Sequence, residues 1–503
     1  MKNVLEYLES SAKNYPNKIA VKDNESSCSY ITLFENAKHI GSGLLEYEVP
    51  RSPIIVFMNK SVEALNSFMG IVCSGCFYVF ISPEQTERRI KQILEITKAK
   101  CVITHSEFIG TIKKMKFSGN LLEYNKLVKT DIKEEKLKNI REQALDIDPL
   151  YCNFTSGSTG VPKGVLVSHR SVIDFMEYFP DMFGITEKDI IGNQAPFDFD
   201  VSVKDIYSTL KVGATMVIIP KQFFSVVTSL INYICDEKIT TMIWAVSALC
   251  LITQLKGLTY KIPINVNKIL FSGEVMPIKH LKLWQKALPN ASFVNLYGPT
   301  EITCNCTYYR VDKNFENNEI LPIGKAFPNE KVFLLGENNE EIIDKHTVGE
   351  ICVSGTAVAL GYYNNQIQTR KAFVQNPLNS GYMESIYRTG DLAFYNSEGE
   401  LCFAGRKDFQ IKYMGHRIEL EEIEAILNGY FDIQRACCIF DNDKNKIVAF
   451  YVGKIEKKEI QKKMYESLPI HMVPKIFYQI EDFPMTLNGK IDRKKLRDYG
   501  RLK

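Results

Sequence analysis

Thr155–Ser156–Gly157–Ser158–Thr159–Gly160–Val161–Pro162–Lys163–Gly164 is the stretch on which the reading of this chain turns. Four hydroxyls, three glycines and one lysine fall within ten residues, too short and polar a run to bury anything. Glycines let backbone come close to a ligand, hydroxyls and amide N–H groups donate to anionic oxygens, and the lysine adds a point charge. The apolar run Leu150–Tyr151–Cys152–Asn153–Phe154 before it has strand length, and Arg170 to Phe179 beyond Ser168–His169 has helical period. A strand, a Gly/Ser/Thr loop and a following helix make a phosphate-binding element. It is not the P-loop of common NTPases, which ends in Gly-Lys-Ser/Thr, because Pro162 precedes Lys163 here and Gly164 follows it. A flexible linker is the plainer alternative, and the embedded Pro-Lys-Gly argues against it.

Size and charge bound the rest. A chain of 503 residues holds about three domain equivalents. Apolar residues at 45% and charged residues at 24% are ordinary for a globular enzyme. A net charge of +3 gives no reason to expect nucleic acid or a membrane surface. No stretch reaches the ~18 apolar residues of a membrane span, and Met1–Lys2–Asn3–Val4 opens no signal-peptide core. Thirteen scattered cysteines then fit a reducing cytoplasm. Cys73–Ser74–Gly75–Cys76 has CxxC spacing, but no second pair accompanies it and its apolar setting reads as core.

Short apolar runs alternate with helical periods up to about residue 400, among them Ile54–Met58, Cys101–Thr104, Thr215–Ile219, Met242–Val246, Lys268–Phe271 and Phe293–Leu296. That alternation predicts an α/β architecture with parallel-rich sheets. Past Gly405–Arg406–Lys407–Asp408 the pattern becomes a hairpin-like stretch, a helix, two strands and a charged helix, the makings of a small α+β domain. The expected division is a large N-terminal domain over 1–407 and a small mobile one over 408–503.

Three later motifs are weaker when read alone. Asn295–Leu296–Tyr297–Gly298–Pro299–Thr300–Glu301 offers a ring that could stack on a base and a carboxylate that could hold Mg²⁺. Tyr387–Arg388–Thr389–Gly390–Asp391 places an acid where it could accept a ribose diol. Asn488–Gly489–Lys490–Ile491–Asp492 puts a lysine on a turn. Each could equally be a surface turn. Together and in this order, with Phe199–Asp200, Gly273–Glu274, Gly349–Glu350, Gly361–Tyr362 and Gly405–Arg406–Lys407–Asp408, they resemble the adenylate-forming superfamily across nearly the whole chain. The runs Asp408 to Glu424 and Pro484 to Lys490 resemble its amino-acid-activating branch, which holds nonribosomal peptide adenylation domains and stand-alone D-alanine–carrier protein ligases.

That resemblance implies an AMP-forming ligase using ATP and Mg²⁺. An amino acid is adenylated with release of pyrophosphate, then passed to the phosphopantetheine thiol of a carrier protein. No carrier segment follows the final lysine, so the carrier is expected as a separate protein, with the ligase itself a monomer. By motif, Thr155, Ser156, Gly157, Ser158, Thr159, Gly160 and Lys163 hold the phosphates, and Glu301 positions Mg²⁺. Tyr297 stacks on adenine, bordered by Gly273, Asn295, Gly298 and Thr300, while Asp391 takes the ribose and Arg406 adds a nucleotide contact. Lys490 is the adenylation lysine, Lys163 and Glu301 share the catalytic work, Asp408 is the hinge, and Gly415 belongs to the thioester step. An acyl-CoA synthetase for a non-amino carboxylic acid is the alternative activity.

For the substrate, the same resemblance makes Asp200, after Phe199, the partner of an α-ammonium. The competing reading is a helix cap near Val203. The remaining pocket positions are Val201, Lys204, Trp244, Leu270, Ser272, Leu296, Cys304 and Asn305. Lys204 departs from the D-alanine ligases, which carry an apolar residue there. Either it meets an acidic or strongly polar substrate side chain, or it snorkels out or pairs with Asp205 or another carboxylate.

Overall fold

A computed structural model describes residues 1–157, 161–317, 319–441, 444–485 and 491–502, with side chains to 499. The chain divides into two compact units. One holds residues 1–83, 94–154 and 164–405; the other holds 406–503 together with 84–93 and 155–163. The expected α/β architecture with parallel-rich sheets is present.

The larger unit is built on three sheets among the described residues. In the nine-stranded sheet, Ser292–Tyr297, Lys268–Ser272, Thr241–Ala245, Ile190–Asn193, Thr215–Ile218 and Ile19–Lys22 run parallel in that spatial order. A seven-stranded sheet contains Pro53–Phe57, Phe77–Ile81, Cys101–Thr104 and Asn120–Glu123 in parallel, with Pro149–Thr155 beside Phe77–Ile81. Pro53–Phe57, Phe77–Ile81 and Cys101–Thr104 are near-continuous apolar runs, as expected of buried parallel strands. Strand Phe77–Ile81 is buried at every position. A third, antiparallel sheet pairs Gly349–Gly355 with Ser385–Tyr395.

The smaller unit has its own core. The hairpin Gln410–Tyr413/His416–Glu419 turns on Met414 and Gly415 at φ 53° and 79°, the double left-handed geometry of a two-residue type I′ turn. Strands Ile433–Asp441, Lys446–Gly453 and Ile476–Gln479 pack on helices Leu420–Asn428 and Lys457–Ser467 through Ile423, Leu427, Cys438, Ala449, Ile460 and Met464.

Two features of the larger unit place the groups of interest. After strand Ser292–Tyr297 the chain loops back into the antiparallel strand Thr307–Arg310 through left-handed Thr303 and Cys304, at φ 41° and 79°. The loop closes so tightly that a Cβ on Gly298 would lie 2.4 Å from Asn305 Cα and 2.8 Å from Cys304 O. Helix Val201–Val212 is the second feature. It is buried continuously from Ser202 to Leu210, and it ends where Gly213 turns left-handed against Tyr15. Three of its polar side chains are paired inside: Lys204 with Asn305 and Ser272, Asp205 with Asn193, Tyr207 with Tyr78.

Two outcomes are expected. Gly298→Ala forces backbone against backbone, and should cost about 2–4 kcal/mol in urea unfolding; a loss within error would mean the loop can open. Burial, outweighing the Asn193 hydrogen bond and the Lys204 and Lys60 charges, pushes the Asp205 carboxyl up to about 7. The folded state thus holds the proton above the unfolded value of about 3.9, so this contribution to stability is complete below that and is lost as pH rises through about 7. Asp205→Asn should raise the melting temperature relative to the parent more at about pH 8.5 than at about pH 5.5. An equal difference at both pH values would refute the assignment.

Candidate active site

Ligands of open α/β sheets gather at the carboxyl ends of parallel strands, and several of the motif residues lie there in the nine-stranded sheet. Along Lys268–Ser272, Leu270 and Ser272 share one face and Phe271 takes the other, because side chains alternate. The same alternation puts Leu296 with Leu270 in one core cluster. Trp244 does not join them. It is paired in register with Phe271 and packs with it in the opposite core, its indole N–H donating to Gly192 O at 2.7 Å. Trp244, expected among the pocket positions, thus lies on the face opposite Leu270 and Ser272, and Ala245, in register with Ser272, lies on theirs.

Lys204 reaches this face from helix Val201–Val212. It is fully buried, so it does not snorkel, and its ammonium donates to Asn305 Oδ1 at 2.6 Å and Ser272 Oγ at 3.4 Å. Burial draws its pKa down, against the pull of Cys304, Asp200 and Asp205. Asp200 stands at the N-cap position, half-buried, but its side chain makes no capping hydrogen bond, which removes the helix-cap reading. Its carbonyl oxygen accepts from Cys304 Sγ at 3.0 Å. Phe199 and Val201 flank it, both half-buried.

A second cluster in the same unit gathers the nucleotide motifs. Tyr297 donates its hydroxyl to Asp391 Oδ2 at 2.6 Å, both residues being buried. Burial, then the Asp391 charge, hold the phenol well above its usual range. The Asp391 segment is pinned by Glu350, which accepts from Arg388 Nε at 2.9 Å and from the Gly390 N–H at 3.1 Å. That bond explains why Gly349–Glu350 and Arg388 to Asp391 occur as paired motifs; sequence alone gave Glu350 no role. Glu301 is fully buried on a 3-10 turn that begins at Thr300, and Oε1 accepts from Tyr362 at 2.7 Å. Asn295 is spent on Pro322 O at 2.8 Å. Gly273 turns left-handed at φ 96° with open space where a Cβ would stand.

The phosphate-loop motif belongs to the smaller unit. Thr155 Oγ1 is buried without a hydrogen-bond partner, and a Cβ on Gly157 would meet Val161 O at 2.1 Å. Ser156 donates to Arg417 O at 2.8 Å, and Lys163 Nζ lies 3.9 Å from Glu419 Oε1. Glu419 was not foreseen as a lysine partner, although it stands within a quoted motif. Arg406 grips Asp408 with two hydrogen bonds of 2.5 and 2.6 Å. Burial alone would raise the Asp408 carboxyl, but Arg406 overrides it and holds it below the usual range. Ser158, Thr159, Gly160 and Lys490 lie outside the described residues.

An unpartnered hydroxyl in a glycine cradle beside a lysine suits phosphate oxygens, and a buried carboxylate supplies the hard oxygen that Mg²⁺ prefers. The residues fit both groups. Among the described residues no other cluster of His, Cys, Asp or Glu could hold a metal, and no helix is long and apolar enough to cross a membrane.

Comparison with known proteins agrees. The AMP-binding enzyme family matches residues 8–363, and the AMP-binding enzyme C-terminal domain matches 422–490. Zwittermicin A synthase ZmaJ of Bacillus cereus is 30% identical over 497 residues, covering 96% of this chain and 93% of that protein. Tyrocidine synthase 1 of Brevibacillus parabrevis is 30% identical over 501 residues, but this chain spans only 45% of its length. In fold, the chain is similar to the Vibrio cholerae adenylation domain AlmE, solved with glycyl-adenosine-5'-phosphate, at a TM-score of 0.85 and 21% identity over 99% of this chain and 98% of that one. The chain belongs to the AMP-binding enzyme family, in the branch of nonribosomal peptide adenylation domains, and is an AMP-forming ligase.

Proposed function

We propose that this ligase adenylates an amino acid with an acidic or strongly polar side chain and passes it to the phosphopantetheine thiol of a carrier protein supplied as a separate chain. The observation that carries the substrate class is the buried Lys204. An ammonium has three donors, and Asn305 and Ser272, both neutral acceptors, take two of them. A substrate carboxylate or carboxamide would complete the set, whereas an alkyl side chain would leave a buried charge short of a partner. Asp200, at the start of the same helix, serves the substrate's α-ammonium.

In the first step the substrate carboxylate attacks the α-phosphorus of ATP, forming a C–O–P bond as the α–β phosphoanhydride breaks and pyrophosphate leaves. Thr155, Gly157 and Lys163 hold the β- and γ-phosphates, and Asp391, oriented by Tyr297, accepts the ribose hydroxyls. Glu301 would hold Mg²⁺, which supplies charge neutralisation on the departing pyrophosphate. Lys490 compensates the charge that develops between carboxylate and α-phosphate; its compact ammonium on a long stem suits that task. We take the boundary at 407/408 as the division between the lobes, with Asp408 as hinge and Gly415 serving the thioester step.

Amino-acid-dependent pyrophosphate exchange tests the substrate assignment. Glutamate, aspartate and their amides should exceed alanine by about tenfold or more in kcat/KM; alanine ahead of all four would end the Lys204 argument. Lys490→Ala should lower exchange by about 10²–10³-fold with ATP affinity within about twofold. Undiminished exchange would remove Lys490 from the chemistry.

A further inference from the structure

The strand Ile190–Asn193 ends seven residues before Asp200, its last carbonyl, Asn193 O, accepting from the Ile219 N–H at 3.1 Å, and the carbonyls beyond need partners that the sheet no longer supplies. Lys60 supplies them. It stands between strand Pro53–Phe57 and helix Val62–Cys73, and its ammonium donates to Asn193 Oδ1 at 3.0 Å. The same nitrogen lies 3.3 Å from both Gln194 O and Ala195 O, and 3.4 Å from Asn193 O. Asn193, fully buried, turns its amide N–H to Asp205 Oδ2 at 2.6 Å. One residue earlier, Gly192 O accepts from Trp244. Each carbonyl oxygen from Gly192 to Ala195 thus has a side-chain donor nearby, Trp244 at the first and, at the other three, the Lys60 ammonium, whose three N–H groups are shared among them and Asn193 Oδ1.

Beyond the clamp there is little slack before Asp200. Phe197 is buried edge-on against Phe68 and Phe80, and the Phe199 N–H donates to Pro196 O at 3.1 Å. The Val203 N–H donates to Asp200 O at 3.0 Å, so the segment passes directly into the buried helix. A displacement of the strand end would be carried to Asp200.

We infer that Lys60, with Asn193 and Asp205 behind it, is a positioning residue for amino acid recognition: it fixes the backbone that presents Asp200 to the substrate ammonium. The inference rests on the role given to Asp200 above. Burial draws the Lys60 ammonium down to about 8, while the carboxyls of Asp205 and Asp198, which face it, act to keep it charged. A plain structural cation would sustain the fold without favouring one substrate over the other. A positioning residue moves the amino acid KM and leaves the ATP site alone, since no part of the Tyr297–Asp391 cluster touches it.

The test compares Lys60→Met and Lys60→Arg with the parent chain. In Lys60→Met, backbone amides between 197 and 203 should exchange hydrogen about tenfold faster, and the amino acid KM should rise about tenfold. The ATP KM and kcat should stay within about twofold, and Lys60→Arg, which keeps charge and donors, should recover most of the amino acid KM. Unchanged exchange in that segment, or ATP and amino acid KM values rising together, would overturn the inference. If Lys60→Met does not fold, Lys60→Gln is read by the same criteria. If the parent chain activates no amino acid, the functional reading fails, and hydrogen exchange alone decides whether Lys60 holds the segment.

Discussion

The arrangement hangs on one close backbone crossing. Gly298 sits where a side chain would meet Asn305 Cα at 2.4 Å, and the chain between them closes through left-handed Thr303 and Cys304. Because that loop shuts so tightly, Tyr297, Glu301, Cys304 and Asn305 all return to one end of the nine-stranded sheet. The partner of Asp391, Tyr297, and the partner of Lys204, Asn305, are then joined by a single short stretch of chain. Non-glycine residues in the left-handed region cost of order 1 kcal/mol each and persist only when the surroundings fix them. Here the fixing groups are visible: Thr303 Oγ1 donates to Ala357 O at 2.7 Å, and the Cys306 N–H donates to Tyr297 O at 2.8 Å.

Helix Val201–Val212 is the other unusual element. It buries Lys204 and Asp205 side by side in a region that apolar residues would fill at lower cost. Neither is held by a close ion pair with the other. Lys204 turns to Ser272 and Asn305, while Asp205 turns to Asn193 and, through it, to Lys60. Burial shifts each toward its neutral form.

Much of this was legible in the sequence. Alternating apolar runs located Cys101–Thr104 to the residue and the central strands to within one or two, because buried parallel strands carry their signal in composition. The motifs named Tyr297, Glu301 and Asp391 as a group. Trp244 was placed on the wrong face because a strand flips every side chain with a one-residue slip, and its motif offers no fixed point between Met242 and Val246. The partners of motif residues were also illegible. Nothing local in the sequence links Glu350 to Arg388 or Lys60 to Asn193, since those bonds join segments brought together only by sheet order.

Cys304 stands beside Asp200, its Sγ donating to the Asp200 carbonyl at 3.0 Å. An acyl-adenylate is an electrophile, and a thiolate there would intercept it. Burial, and next the negative charge of Asp200, push the Cys304 thiol well above its ordinary range, so it stays protonated and a poor nucleophile. All thirteen cysteines are free, and only Cys73 and Cys235 are less than buried. An enzyme that makes a reactive mixed anhydride is thereby spared a competing thiolate at this position.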